Sequence, residues 1–526
     1  MIIKILILIL FFAVMIGVGI ACRKSATDVK GFVLGGRNVG SWLTAFAFGT
    51  SYFSAVIFVG YAGQFGWKYG LAATWIGIGN ALIGSLLAWR ILGRRTRLMS
   101  QHLQSATMPD FFGQRFRTPS LRVAASIIVF IFLIPYTASL YNGLSRLFGM
   151  AFGIDYIWCV VGMALLTGVY VLLGGYMATA VNDFIQGMIM LVGILAVVVS
   201  VLKGNGGFME SMISMSQITS EAEPELGGAF ISFFGPQPLS LLGVILLTSL
   251  GTWGLPQMVG KFYAIKDEGA IRKGTVISTI FAFIVAGGCY FLGGFGRLYG
   301  NMIEYAPNGT PIYDSIIPSM LETLPDIMIG VVIILVLSAS MSTLSSLVLT
   351  SGSTLTLDII APAVKSSGSG HMKEKSQLLC IRLLILFFIA VSSIIAIVQA
   401  KSSVTFIAQL MGISWGALAG AFLAPFLYGL YWKKTTPAAV WASFVCGILI
   451  MCGCMFCTFT GKMFINAFFT SPINAGVLAM LAGLLIVPLV SMFTRVRDKE
   501  KVDGMFECYN HRVTVNASTA LEDSEA

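Results

Sequence analysis

Apolar stretches about as long as a bilayer is thick recur along the whole chain, and no other feature of the sequence restricts its fold as severely. They lie at roughly 2–21, 41–66, 70–92, 121–150, 155–175, 182–203, 236–259, 274–298, 324–352, 378–399, 404–430, 437–459 and 472–493. Each is close to the ~20 residues a helix needs to cross the hydrocarbon core. Hydrocarbon offers no hydrogen bonds, so a spanning segment must satisfy its own amides and carbonyls and becomes a helix. With 57% hydrophobic and 11% charged residues and a mean hydropathy of +0.87, the composition fits the same reading. The expectation is an all-α polytopic membrane protein of about thirteen transmembrane helices. The first stretch lacks a small-residue cleavage site and runs into basic residues, so it reads as a retained helix rather than a secretion signal.

Positive charge gives the orientation. With the N-terminus outside, an odd number of crossings puts the C-terminus in the cytoplasm and makes the connectors beginning at 22, 93, 176, 260, 353 and 431 cytoplasmic. Of the 33 Lys and Arg, only Lys4, Lys68, Arg146, Lys203, Arg297, Lys401 and Lys462 then lie outside. The rest, including Arg23, Lys24, Arg94, Arg95, Arg97, Lys261, Lys266, Arg272, Lys273, Lys433, Lys434, Arg495 and Arg497, fall inside, as the positive-inside rule requires. The net charge of +10 therefore reports topology and calls for no nucleic-acid partner. The tail 495–526 is polar and ends in LEDSEA, which predicts little order apart from a short piece at Val513–Val515. The connector run from Ser366 to Gly370 reads as flexible, and Asn308-Gly-Thr matches a glycosylation acceptor that only a eukaryotic secretory host would use.

Several chemistries are excluded. Cys454 and Cys457 have a CxxC spacing, but they stand in an apolar stretch with no histidine near and read as packed thiols. His102, His371 and His511 all fall in connectors or the tail. Neither a phosphate-cradling GxxxxGK[ST] nor a complete dinucleotide fingerprint is present. No nucleophile–base pair presents itself, and the expectation is a carrier, not an ATP-driven pump or an enzyme.

One stretch carries more hydroxyls than lipid would reward. Ser338, Ser340, Ser342, Thr343, Ser345 and Ser346 crowd the sequence LVLSASMSTLSSLVLT. A pair of such residues reads as close packing or back-bonding to the previous turn. Six within nine residues point instead to a hydrated cavity or a small cation, whose preferred ligands are oxygens. At helical spacing Ala339, Ser342, Thr343 and Ser346 share one face, with Ser345 on its shoulder.

Two other stretches are broken internally. FAFGTSYFSAVIFVG holds Gly49, Thr50, Ser51 and Ser54 at its middle, and LLTSLGTWGLPQMVGKF holds Gly251, Gly254 and Pro256 beside Trp253 and Gln257. They lie five spans apart, which divides the chain into two five-helix halves, the arrangement of an inverted-repeat transporter with its site at the membrane midplane. Asp183, in VNDFIQGMIM, is the acid closest to a protein interior. It reads either as an ion ligand or as a cap on the first turn of its helix.

The segments FVLGGRNVGSW, GTSYFSAV, GGYMATAVNDFIQG, GLPQMVGKF and ASMSTLSS together resemble the sodium:solute symporter family, over about residues 5–495. That resemblance implies a five-plus-five inverted repeat of the leucine-transporter type. It also implies sodium as the coupling ion, with no other cofactor. Carried over by position, the common sodium site would use the carbonyls of Thr50, Phe53 and Ala339 with the hydroxyls of Ser342 and Thr343. A second sodium would use Asp183, Ser342, Ser345 and Ser346. The solute pocket would draw on Tyr52, Ser54, Asn80, Tyr136, Trp253 and Gln257, with Trp253 equally readable as core packing. Where bacterial proline transporters have Asp-Met-Ser-Gly in the first broken helix, this chain has Tyr52-Phe53-Ser54-Ala55, closer to the pantothenate, iodide and monocarboxylate branches.

The resulting expectation is a sodium-coupled importer of a small organic solute (an amino acid such as proline, pantothenate or a monocarboxylate) working by alternating access in the plasma membrane. A proton-coupled carrier on the same fold, with Asp183 titrating, and a sodium-dependent sugar, sialic-acid or anion transporter remain alternatives. The units are 1–40 (first helix and connector), 41–203 (first half), 204–235 (outer loop), 236–430 (second half), 431–494 (two peripheral helices) and 495–526 (tail). The partners are the solute, sodium ions and the lipid bilayer.

Overall fold

The computed structural model describes residues 2–221, 224–307, 309–366, 371–399, 407–460, 471–496 and 498–511. Among them helix is the rule, and the strand content amounts to two isolated bridges. Ten helices are long and apolar enough to cross a bilayer, or eleven when the bent pair Pro238–Gly254 and Pro256–Tyr263 is taken as one span. The two longest run well past twice the ~20 residues a membrane needs. Tyr156–Gly204 runs 49 residues, about 74 Å at 1.5 Å per residue, and contains a kink at Gly175 (φ 53°, ψ −147°) that only glycine adopts without strain. Val56–His102 runs 47 residues and turns at Gly70 (φ 62°, ψ −140°), where a side chain would collide with the Phe230 backbone. Each of the two thus carries more than one apolar stretch of the sequence.

Both expected breaks are present, and they are built alike. The helix Ser41–Tyr52 ends at Phe53 (φ −89°, ψ 119°) before the chain turns helical again. The second span ends its first half at Gly254, passes through Leu255 (φ −88°, ψ 119°) and restarts at Pro256, with a bend of 46°. Pro256 suits that place because a first-turn proline sacrifices no intrahelical bond.

The broken spans are held in the interior by close packing. Gly49 leaves room for the Phe281 ring, which would lie 2.5 Å from any Cβ there, and Gly66 meets the backbone of Gly293. Small residues let membrane helices approach this closely, and dispersion contacts replace the missing hydrophobic drive. The serine-rich helix Asp326–Leu355 is the axis of the bundle, buried at nearly every position from Val332 to Thr354. Lys4–Ala26 lies at the periphery, with Leu6, Ile9 and Leu10 turned outward as lipid-facing residues are.

Polar ties sort the connectors onto two ends. At one end Lys4 pairs with Asp326 (2.9 Å), Trp75 Nε1 donates to Phe233 O (2.9 Å) and Arg297 donates to Trp67 O (2.7 Å). At the other, Glu374 accepts from the Val29 amide (3.0 Å), Arg94 pairs with Glu268 (2.9 Å) and Arg97 donates to Ile265 O (2.6 Å).

The tail departs from expectation. Lys499–Glu507 is helical and docks on the second end. Arg117 pairs with Asp498, and Lys433 with Asp503 (2.6 Å). Arg94 donates to the carbonyls of Tyr509 and His511, Arg95 lies over the rings of Tyr431 and Tyr509, and Cys508 is buried. The low-hydropathy sequence is ordered by basic partners, two of them, Arg94 and Arg95, over four hundred residues away. Val513–Val515, Asn308, Lys401, Lys462 and most of the run from Ser366 to Gly370 lie outside the described residues.

Candidate functional site

The extended backbone at Phe53 stops the helical hydrogen-bond ladder, which frees carbonyls in the middle of a membrane protein, where an unpaired one is costly. The serine-rich helix supplies their partners. Ser342 Oγ donates to Thr50 O (3.1 Å) and Ala339 O (3.0 Å), and Thr343 Oγ1 lies within hydrogen-bond distance of Thr50 O (3.2 Å), Phe53 O (3.3 Å) and Ala339 O (3.1 Å). Three carbonyls and two hydroxyls, drawn from two helices, therefore converge on one small volume that is closed to solvent. All five are neutral oxygens, the donor set that a hard monovalent cation takes. Both hydroxyls rotate freely, so their protons can turn away and leave lone pairs facing inward. The five oxygens expected from the sequence are thus together.

Neighbouring hydroxyls brace the same joint. Ser340 Oγ accepts from the Ala55 amide at the restart of the broken helix (3.2 Å), and Ser51 Oγ meets Ser346 Oγ (2.8 Å).

Asp183 is fully buried about two turns beyond the kink at Gly175, so it does not cap a first turn. Its neighbour is a residue that the sequence reading placed in a cytoplasmic connector. Lys261, on the helix Pro256–Tyr263, is 4% exposed. Its Nζ lies 3.6 Å from Asp183 Oδ2, donates to Ser346 Oγ at 2.9 Å and sits 5.3 Å from the centre of the Tyr176 ring. Ser345 Oγ donates to Ser342 O (2.8 Å). Of the second expected set, Asp183 and Ser346 thus gather around an ammonium, while the other two hydroxyls bond to backbone. A signal for Lys261 was available, since it stands four residues after Gln257 and shares its helical face.

The expected solute residues form separate groups. Ser54, Tyr136 and Trp415 belong to one, with the Tyr136 hydroxyl facing the other two and its ring edge-on to Trp415 at 6.0 Å. Trp415 was not singled out from the sequence. Asn80 and Trp253 belong to a second, where Asn80 Oδ1 accepts from Ser249 Oγ (3.0 Å) and Trp253 Nε1 donates to Ile83 O (3.0 Å). Gln257 is apart from both, buried, with neither amide atom hydrogen-bonded within the protein. It lines a crevice of about 50 Å³, shared with Lys261, Ser346, Tyr176 and Thr107, which has room for about three waters. Tyr52 ends the first half of its broken helix; its side chain is not among the described ones.

Among the described residues no group of three His, Cys, Asp or Glu could hold a metal ion, and Cys454 and Cys457 are buried free thiols.

Comparison with known proteins agrees with this architecture. Residues 32–447 match the model of the sodium:solute symporter family. The osmoregulated proline transporter of Bacillus subtilis is 28% identical over 495 residues, covering 92% of this chain and 94% of that protein. The sodium/proline symporter 2 of Staphylococcus saprophyticus is 28% identical over 453 residues, covering 84% of each. Among solved structures, a Na+-coupled sialic acid symporter superposes with a TM-score of 0.72 at 17% sequence identity, covering 94% of this chain and 98% of that one. At that identity the likeness is one of fold.

Proposed function

Because the chain belongs to the sodium:solute symporter family, we propose that it couples one inward-moving sodium ion, held by the carbonyls of Thr50, Phe53 and Ala339 and the hydroxyls of Ser342 and Thr343, to the import of a small organic solute. The observation that carries this reading is the convergence of those five oxygens across a broken helix and an unbroken one. An ion there ties the two together. Broken helices that shift relative to their neighbours are how such carriers alternate their access. Sodium then favours the state in which the joint is closed, and release follows where sodium is scarce.

Proline is the first solute to test, since it is named for relatives that align with nearly the whole chain. Its carboxylate would be drawn to the restarts after Phe53 and Leu255, where helix N-termini carry partial positive charge. The solute is assigned to the path between the three separate groups, Ser54 and Tyr136 with Trp415, Asn80 with Trp253, and Gln257, with Tyr52 at the end of the broken helix. A second reading, pantothenate or a short monocarboxylate, is favoured by the run Tyr52-Phe53-Ser54-Ala55. The N-terminus is assigned to the outside and the C-terminal helix to the cytoplasm, on the distribution of basic residues. The two halves are assigned to 41–203 and 236–430. A charge moved inward gains roughly 2.3 kcal/mol per 100 mV of membrane potential.

The test is thermal unfolding of the purified protein with proline, pantothenate, short monocarboxylates, sugars and sialic acid, each in sodium and in potassium. A ligand of the folded state raises apparent stability by mass action. A shift that needs both proline and sodium supports the reading; equal shifts in potassium refute sodium coupling.

A further inference from the structure

The place that family resemblance gives to a second sodium ion is held by the protein's own ammonium. Asp183 carries the only negative charge of that expected set. It is fully buried, and its nearest cation is Lys261 Nζ at 3.6 Å. Ser346, the hydroxyl of the set that reaches this charge pair, accepts from the same nitrogen at 2.9 Å. The remaining two are engaged elsewhere, Ser342 on Thr50 O and Ala339 O and Ser345 on Ser342 O. Asp183 and Ser346 therefore share a cation already covalently attached to the helix Pro256–Tyr263, which pairs with the carboxylate by charge at 3.6 Å and hydrogen-bonds the hydroxyl. A buried carboxylate is tolerable only when paired, and the pairing here needs no mobile ion. A sodium ion entering beside Asp183 would meet the like charge of the Lys261 ammonium, which a crevice holding at most about three waters screens less than bulk water does.

We propose that Lys261 is a tethered cation standing in for a second sodium ion, which fixes this carrier at one sodium per transport cycle. The ammonium is brought to the pair by the inner half of the second broken span, and Ser346 links it through Ser51 to the first broken span. The charge a second sodium would supply is thus present in every cycle without being carried across.

The inference rests on the common sodium site, and the test separates the two. Binding of radiolabelled sodium alone to the purified full-length protein, counted per chain, needs no knowledge of the solute. The wild type should bind one sodium, and Ser342→Ala should weaken that binding. Lys261→Met removes the ammonium at similar length, and should raise the count to two, with a Hill coefficient that climbs from one toward two. Adding Asp183→Asn to Lys261→Met should return the count to one, and Lys261→Arg should leave it at one. If Lys261→Met does not fold, the double variant Lys261→Met with Asp183→Asn decides, because it leaves no buried charge unpaired and sodium binding should persist at one per chain. Two sodium ions on the wild type, or a count of one for folded Lys261→Met, overturns the proposal while leaving the common site standing, and loss of binding in the double variant overturns both readings. A wild type that binds no sodium, or is indifferent to Ser342→Ala, overturns the parent reading and this one with it.

Discussion

Replacing Ser342 with alanine removes one oxygen of the five and almost nothing else. Its single proton serves Thr50 O or Ala339 O, and Thr343 Oγ1, 3.2 Å from Thr50 O and 3.3 Å from Phe53 O, keeps one proton for the carbonyls at the break, so one hydrogen bond is lost. The cost to folding should therefore be that of one ordinary buried hydrogen bond, about 1 kcal/mol. The cost to ion binding should be larger, because a polar contact to a charged group is worth about 1.5–3 kcal/mol. At 1.4 kcal/mol per decade that becomes a rise of roughly 10- to 100-fold in the sodium needed for half-maximal effect. Ser338 makes the control, since it stands one turn earlier on the same helix, is equally buried and has no hydrogen-bond partner for its hydroxyl. Ser338→Ala should leave the sodium dependence within about twofold, as substitutions that break no partnered group do. The assay is uptake of labelled proline into proteoliposomes across a series of sodium concentrations, with potassium making up the ionic strength. An unchanged sodium requirement in Ser342→Ala, or an equal loss in Ser338→Ala, refutes the assignment of the hydroxyl face.

At Thr343, serine should preserve sodium-dependent uptake and valine should abolish it at physiological sodium, because only valine lacks the oxygen shared by Thr50 and Phe53. Gln257→Leu should leave thermal stability equal or higher, since it deletes two unsatisfied buried amide atoms, while raising the solute concentration for half-maximal uptake about tenfold, the effect of roughly 1.4 kcal/mol. Gly175→Ala should lower the midpoint of unfolding in detergent, because its left-handed φ of 53° opposes any side chain and the Phe32 carbonyl oxygen lies 2.8 Å from where a Cβ would stand; the strain alone is about 1–3 kcal/mol. Asp503→Asn should change stability by less than about 1 kcal/mol, because its pair with Lys433 is exposed.

What was legible in the sequence follows from what a membrane forbids. Hydroxyls at the spacing of Ser342, Thr343 and Ser346 had no use in lipid, so their shared face could be read as a site, and the glycines and proline around Phe53 and Leu255 marked where helices stop. Lys261 was misplaced for a physical reason. Hydropathy ends a span at its first charge, and counting that charge as cytoplasmic fits the positive-inside pattern; only the acid brought in from another helix, Asp183, makes its burial tolerable. That pairing joins residues 78 positions apart and leaves no local trace. The docked tail was equally invisible, because Arg94 and Arg95 reach it from the opposite end of the chain. Trp415 escaped notice for a different reason, since an aromatic inside an apolar stretch carries no mark of the Tyr136 hydroxyl that faces it.

The matched dihedral angles at Phe53 and Leu255 also bear on the energetics of switching. Two hinges in the same relaxed, extended conformation store no backbone strain, so the main chain by itself lends no weight to either side, like a balance with equal arms. The tilt must come from what is loaded at each joint. On the proposed sodium site, the load at the first joint is removable, five oxygens that a dissolved ion would fill or vacate. Near the second it is permanent, an ammonium that never leaves. A balance so built needs only a few kcal/mol of differential binding to swing, and the concentration of one ion on one side of the membrane is enough to decide when it does.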